Sequence, residues 1–234
     1  MELAALYNDT GSPEKALKVL YSRHFQPWEG GEGLVLSEYV RANILLAMQC
    51  LQTNRADRAL EYLRAAENPP TTLNEAKHLL MNLSMIDYWL GVAYADLRDT
   101  SQATVHWERA ARALGDFQQM QVQTVSDTTY WSAMALRRLC RENEAKALFQ
   151  RIFDHACALE QQTPTIDYFA TSLPAMLLFD EDPSKRQATT ARFLKAQALL
   201  GMGDEHAGLD LLSQVHAMNN SHSGAIDLLK SYGR

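Results

Sequence analysis

The residues best suited to bind a polar ligand lie in a short stretch near the start of the chain. Residues 24–33 contain two aromatic side chains, two carboxylates and three glycines. An indole ring can stack on the apolar face of a sugar, and carboxylates accept hydrogen bonds from its hydroxyl groups. Trp28, Glu29 and Glu32 are therefore candidate ligand-binding residues. The alternative interpretation is a rigid loop in which the Trp28 side chain fills the core.

A second stretch with aromatic and acidic residues spans 167–174 and is followed by an acidic run at 180–182. Asp167 and Tyr168 are candidate ligand-binding residues in it. The acidic run has two interpretations: a rim facing the ligand, or the N-terminal cap of a helix that begins at Pro183, where carboxylates oppose the positive helix end. A short helix is predicted over residues 165–172.

Three aromatic residues occupy one place in a repeating pattern, three residues before a small residue. They are Tyr88, Tyr130 and Phe193, which precede Gly91, Ala133 and Ala196. A stripe of aromatic side chains along a groove would favour a stacking or apolar ligand. Aromatic residues at helical spacing also form ordinary core, and the sequence leaves both interpretations open.

The patterns of most common enzymes and metal sites are missing. There is no GxGxxG or phosphate-binding lysine loop, no HExxH, and no GxSxG around a serine. Glu29 and Asp167 could act as the acid and base of a glycosidase, but such work needs carboxylates about 5 to 9 Å apart, which a sequence does not fix. We therefore assign no catalytic residue, no metal ligand and no cofactor, and leave open whether the chain contributes to an enzyme.

The composition of the chain limits the classes of protein and partner that fit it. The 234 residues carry a formal net charge of −6, which argues against nucleic acid as a partner because a phosphate-binding face needs clustered basic residues. No apolar run approaches the ~20 residues that span a membrane. The odd cysteine count gives no disulfide framework, and Cys50 and Cys140 are predicted to be buried thiols. A cytoplasmic protein without membrane contact is expected.

The elements that must position these residues are predicted to be paired helices. Residues 89–110 predict two helices joined by a turn near Asp99, in which the small residues Gly91 and Ala103 let the helices approach closely beside Trp107. The order of residues is that of a tetratricopeptide repeat. Four further units repeat the pattern with drift. Turns are predicted at Gly11, at Asn54, near Asp99 and at Gly203, and Cys140 holds the equivalent place in the fourth unit. The small residues of the second helices are Ala16, Ala59, Ala103, Ala145 and Gly208.

The fold class that follows is all-α: a right-handed α-α superhelix of about five degenerate tetratricopeptide-like repeats, in a single domain over residues 1–234. The small residues of the second helices lie 43, 44, 42 and 63 residues apart, whereas a bare repeat has a period of about 34. The extra residues fall at 23–36, 68–74, 114–124 and 155–186, and such insertions often form the binding face. By register the first helix should begin before Met1, so we expect a C-terminal piece of a longer protein.

A family resemblance rests on three segments that occur in order: HFQPWEGGEG at 24–33, DYWLG at 87–91, and DYFATSLP followed by FDED. Together they resemble the C-terminal tetratricopeptide region of large bacterial proteins. Those proteins carry an N-terminal, mutarotase-like β-sandwich domain of unknown function that is associated with carbohydrate metabolism. The family pattern implies a set of characteristic residues. These are Trp28, Glu29, Glu32, Asp87, Tyr88, Asp167, Tyr168 and Phe169.

The leading functional hypothesis is a non-catalytic binding and scaffolding module. It would pack against the β-sandwich domain of the parent polypeptide and help to line a carbohydrate site. Two alternatives remain open. One is an adaptor that binds a peptide or protein, and the other is part of a glycoside-active enzyme whose carboxylates come from the insertions.

Overall fold

A computed structural model of the chain describes residues 1–26, 31, 33–75, 77, 81–113, 115–118, 121–164 and 182–233. These residues are predominantly helical, and within each of two units the consecutive helices pack against each other. The all-α prediction is therefore confirmed in its coarse form. The chain divides into two compact units, unit 1 (Met1–Ala113) and unit 2 (Leu114–Arg234).

Unit 1 contains three helix pairs. Its helices are α1 (Glu2–Asp9), α2 (Pro13–Tyr21), α3 (Leu34–Gln52), α4 (Ala56–Glu67), α5 (Ser84–Asp96) and α6 (Thr100–Arg112). Besides the contacts between consecutive helices, α1 packs against α3 and α3 against α5. A 3-10 helix (Thr71–Leu73) lies in the predicted insertion at 68–74, and its Leu73 side chain is buried in a core formed with α1, α2 and α3.

Unit 2 begins with a β-hairpin that the sequence analysis did not predict. Strands β1 (Asp116–Gln118) and β2 (Gln121–Gln123) pair antiparallel, with Asp116 opposite Gln123. The helices that follow are α7 (Thr129–Arg138), α8 (Glu142–Gln161), α9 (Pro183–Met202), α10 (Glu205–Met218) and α11 (Ser223–Ser231). Consecutive helices pack together, and α7 also packs against α9.

The turns between paired helices share one backbone geometry in the described chain. Gly11, Asn54, Arg98, Cys140 and Gly203 all have positive φ, between 54° and 93°. At each turn the next residue donates its N–H to the carbonyl five residues earlier, as Ser12 does to Tyr7 at 2.7 Å and Asp204 to Leu199 at 2.9 Å. This is the Schellman ending, which satisfies carbonyls that the helix leaves free. The turns predicted at Gly11, at Asn54, near Asp99 and at Gly203 are confirmed, and Cys140 lies in a further turn of the same kind.

Small residues allow the paired helices to approach, as predicted. Ala16, Ala59 and Ala145 are fully buried, and Ala103 is 1% exposed. Gly91 of α5 lies against the indole of α6, because a Cβ added there would fall 2.3 Å from Trp107 Nε1. The same kind of contact occurs in unit 2, where Gly201 lies against the ring of Phe149.

Several predictions about single residues need correction or lie outside the described residues. Cys50 is buried as predicted, but Cys140 is exposed, because its place in the turn points its side chain away from the helix contact. Asp182 caps α9 by accepting a hydrogen bond from Ser184 N at 2.9 Å, as one interpretation of the acidic run predicted. The predicted short helix at 165–172 lies outside the described residues.

Helix α3 corrects the expectation that no segment approaches the length of a membrane span. Leu34–Gln52 is the one helix among the described residues that is long and apolar enough to cross a membrane by length and composition. Its buried residues nevertheless include Arg41, which pairs with Asp9 of α1 at 2.7 Å, and Asn43. Polar side chains that are buried and packed within unit 1 in this way are typical of a helix in a protein core.

Candidate functional site

The eight candidate ligand-binding residues divide into described and undescribed positions. Asp87 and Tyr88 lie in α5 of unit 1, and Tyr130 lies in α7 of unit 2. The remaining five, Trp28, Glu29, Glu32, Asp167 and Tyr168, lie outside the described residues. The geometry of a candidate site can therefore be built only around Asp87, Tyr88 and Tyr130, each within its own unit.

Asp87 is a buried carboxylate that links α5 to α6. Its side chain is 8% exposed, and its Oδ1 atom lies 2.8 Å from Nδ1 of the buried residue His106. The same oxygen lies 3.4 Å from Nε of Arg109, one turn further along α6. Two donors from α6 thus contact one oxygen of Asp87. These contacts offset the free-energy cost of burying the carboxylate.

The link extends from α5 and α6 to helix α4. A second guanidinium nitrogen of Arg109 lies 3.3 Å from Glu67 Oε1 of α4. The ring of Tyr94 stacks on His106, with centroids 5.4 Å apart and planes 12° from parallel. The Tyr94 hydroxyl accepts a hydrogen bond from Arg64 of α4 at 2.8 Å, and this bond raises the pKa of Arg64. We call these six residues the Asp87 network: Arg64, Glu67, Asp87, Tyr94, His106 and Arg109.

His106 was missed by the sequence analysis, although the sequence carries a signal for it. It lies on the buried stripe of α6, between Ala103 and Ala110, where apolar residues are usual. A titratable residue at such a place needs a partner, and Asp87 supplies it. The contact of His106 Nδ1 with Asp87 Oδ1 links the second helix of the pair to the first.

Tyr88 and Tyr130 have matching surroundings in their two units. Each is 3% exposed, and each packs edge-to-face against the tryptophan that follows it, at centroid distances of 5.3 Å for Trp89 and 5.1 Å for Trp131. Phe193, at the same place in the pattern, is 4% exposed. All three rings are thus core side chains in the described chain, and a ligand could reach them only after the surrounding helices move.

A second polar cluster, also missed from the sequence, anchors the hairpin of unit 2. The buried Asp116 of β1 accepts hydrogen bonds from the hydroxyl groups of Ser126 at 3.3 Å and Thr128 at 3.2 Å. Gln197 of α9 donates to the backbone carbonyl of Asp127 at 3.0 Å. These contacts fix the segment that leads into α7, so Asp116 positions the helix that carries Tyr130.

A third group of polar side chains joins α8 to α9. The ammonium of Lys195 contacts the carboxylate of Glu160 and lies 5.9 Å from the ring centroid of Phe153. Burial works against the charged form of Lys195, but the hydrogen bond and the charge of Glu160 raise its pKa overall. Within the described part of the chain, no three His, Cys, Asp or Glu side chains converge as a metal site would require.

No protein-family model matches the chain, and no solved structure matches it. Support for a function therefore comes from the helix pairs, the Asp87 network and the sequence segments at 24–33, 87–91 and 167–174.

Proposed function

We propose that this chain is a non-catalytic binding and scaffolding module of the tetratricopeptide type. In this proposal its helix pairs form a right-handed superhelix that packs against a carbohydrate-related β-sandwich domain of the parent polypeptide and lines its ligand site. The observation that carries the proposal is the recurrence of one Schellman turn at five equivalent positions. Repeated helix pairs of this kind offer extended surfaces for partners.

The Asp87 network supports a scaffolding role rather than a catalytic one. A catalytic carboxylate needs an oxygen that can reach the substrate, whereas Asp87 is buried and its Oδ1 is held by His106 and Arg109. The network joins three helices of unit 1, which keeps the surface formed by α4, α5 and α6 rigid. A rigid surface loses little entropy when a partner binds.

The carbohydrate part of the proposal depends on the sequence stretches at 24–33 and 167–174. Their aromatic and acidic residues suit stacking on a sugar ring and hydrogen bonding to its hydroxyl groups. Under this proposal Trp28, Glu29 and Glu32 would contact a ligand from the first stretch, and Asp167 and Tyr168 would do so from the second. Asp87 and Tyr88 lie in α5, which packs against α3, and Tyr130 lies in α7, which packs against α8 and α9. In this way they would support the helices next to those stretches. The proposed setting is the cytoplasm, without nucleic acid or membrane as a partner.

Calorimetric titration of mono- and oligosaccharides tests this proposal. The protein to use is the product of the whole reading frame in which the chain occurs. We expect saturable binding of at least one saccharide and loss of that binding in the variant Trp28→Ala. The matched control is Tyr232→Ala, which removes an aromatic side chain that is 37% exposed near the end of α11. Absence of binding with every saccharide, or equal loss in both variants, would contradict the carbohydrate role.

A further inference from the structure

The exposed face of α1 corresponds, in the repeating pattern, to faces of α3 and α5 that are buried within unit 1. In the repeating pattern Leu3 corresponds to Leu46 of α3 and Leu90 of α5, since each directly precedes the small residue of the first helix. Leu46 and Leu90 are 3% and 1% exposed, whereas Leu3 is 48% exposed. The three leucines occupy the same place in their helices and differ only in what lies against them.

What covers Leu46 and Leu90 is a preceding helix pair in each case. Leu46 belongs to a core formed with Ala4, Ala16 and Leu20 of α1 and α2. Leu90 belongs to a core formed with Ala59 and Leu63 of α4 and residues of α3. In both cores the leucine packs against alanine and leucine side chains of the pair before it.

The surface around Leu3 is apolar and indented. Leu6, one turn further along α1, is 56% exposed. A groove of about 330 Å³ beside Leu3 is lined by the apolar residues Met1, Val19 and Phe25, together with polar side chains from 22–24 and 26. Exposed apolar surface of this kind marks interaction sites. We call Leu3, Leu6 and this groove the α1 face.

We propose that the α1 face binds an amphipathic helical hairpin, with small residues at the contact of its two helices, in the way that α3 receives α1 and α2. The hairpin places alanines opposite Leu3 so that its backbone can approach, and its leucines fill the groove. Equivalent contacts inside unit 1 define this chemistry of the partner. The groove shares residues 24–26 with the stretch proposed to bind carbohydrate, but the partner here is a protein, and variants at Leu3 test its binding separately from saccharide titration.

A synthetic peptide of residues 34–67 is a suitable probe, since it contains the α3–α4 hairpin that covers Leu90 inside unit 1. Fluorescence anisotropy of the labelled peptide with the whole chain should show saturable binding. The variant Leu3→Asp should raise the dissociation constant about tenfold or more, which is the effect of losing one buried leucine. The control Leu97→Asp changes a leucine that is 45% exposed in the α5–α6 turn and should leave binding unchanged.

A tandem variant keeps the test valid if the free peptide binds weakly. It duplicates residues 34–75 in front of Met1, so that the hairpin is present at high effective concentration. Its Tm should be higher than that of the same tandem variant with Leu3→Asp. Equal values of Tm in the two tandem proteins would overturn the proposal. Self-association of the unmodified chain that Leu3→Asp abolishes in sedimentation experiments would also overturn it, because the occupant would then be a second copy.

Discussion

At the scale of single residues, Asp87 shows how a carboxylate in a characteristic motif can serve the fold. Its Oδ1 atom accepts from His106 and lies close to Arg109, and Arg109 in turn reaches Glu67 on the preceding helix. The motif DYWLG therefore joins a buried acid to an aromatic ring and a close helix contact at Gly91. Each of these features holds α5 against α6, so the whole motif can be explained by packing within unit 1.

Replacing Asp87 by Ala should lower the free energy of unfolding by about 1–3 kcal/mol, because the buried imidazole of His106 loses its partner. Urea unfolding followed by circular dichroism measures the change. The control Asp96→Ala removes an exposed carboxylate from the end of the same helix and should change stability by less than about 0.5 kcal/mol. Equal losses in the two variants would show that the Asp87 network does not stabilise the unit.

The sequence could not reveal the partner of Asp87. Asp87 and His106 lie 19 positions apart on different helices, and their contact depends on the rotation of each helix about its own axis. A sequence pattern specifies which stripe of a helix is buried, but not which atoms meet across the interface. The same limit applies to Asp116, whose hydroxyl partners Ser126 and Thr128 lie 10 and 12 positions further along the chain.

At the scale of elements, the turns between paired helices carry local backbone strain. Glycine adopts positive φ without steric cost, but Arg98 and Cys140 hold φ values of 64° and 59° with a Cβ present. The Schellman hydrogen bonds and the packing of both helices fix the turn and offset this strain. Such positions are where a substitution by glycine can stabilise a protein.

The variant Cys140→Gly should raise the free energy of unfolding by about 0.5–1 kcal/mol, because relief of the left-handed strain exceeds the added flexibility of the unfolded chain. Thermal unfolding in reducing buffer measures the effect. Cys140→Ala is the matched control, since it removes the exposed thiol and keeps the Cβ, and it should leave stability unchanged. A gain of the same size in both variants would attribute the effect to the thiol instead of the backbone.

Most of the turns could be predicted, either from the residue type or from the position in the repeating pattern. Gly11, Asn54 and Gly203 are ordinary turn residues, whereas the turn near Asp99 was placed by its distance from the small residues around it. The hairpin Asp116–Gln123 was not predicted because it has three-residue strands and no Asn-Gly or Asp-Gly turn. Exposure of Cys140 was missed because its position in the pattern was treated as one for a small buried residue.

At the scale of the whole molecule, the residues that are buried together come from helices that are close in the sequence. The cores of unit 1 combine residues from neighbouring helix pairs, such as α1, α2 and α3 in one and α3, α4 and α5 in the next. In proteins of this kind each pair is stabilised by its own contacts and by those with its neighbours. A destabilising substitution in one core should therefore destabilise the adjacent helices first and leave distant helices protected from hydrogen exchange.

The variant Leu63→Ala tests this local character. Leu63 is fully buried in the core formed with α3 and α5, and its truncation should cost about 2–5 kcal/mol in that core. Hydrogen exchange followed by mass spectrometry should show faster exchange in α3, α4 and α5, with α9 and α10 of unit 2 changed little. The reciprocal variant Leu212→Ala removes a fully buried leucine of α10 and should give the opposite pattern. If either variant accelerated exchange equally in both units, the chain would unfold as one cooperative body, and the description of helix pairs stabilised by their neighbours would be wrong.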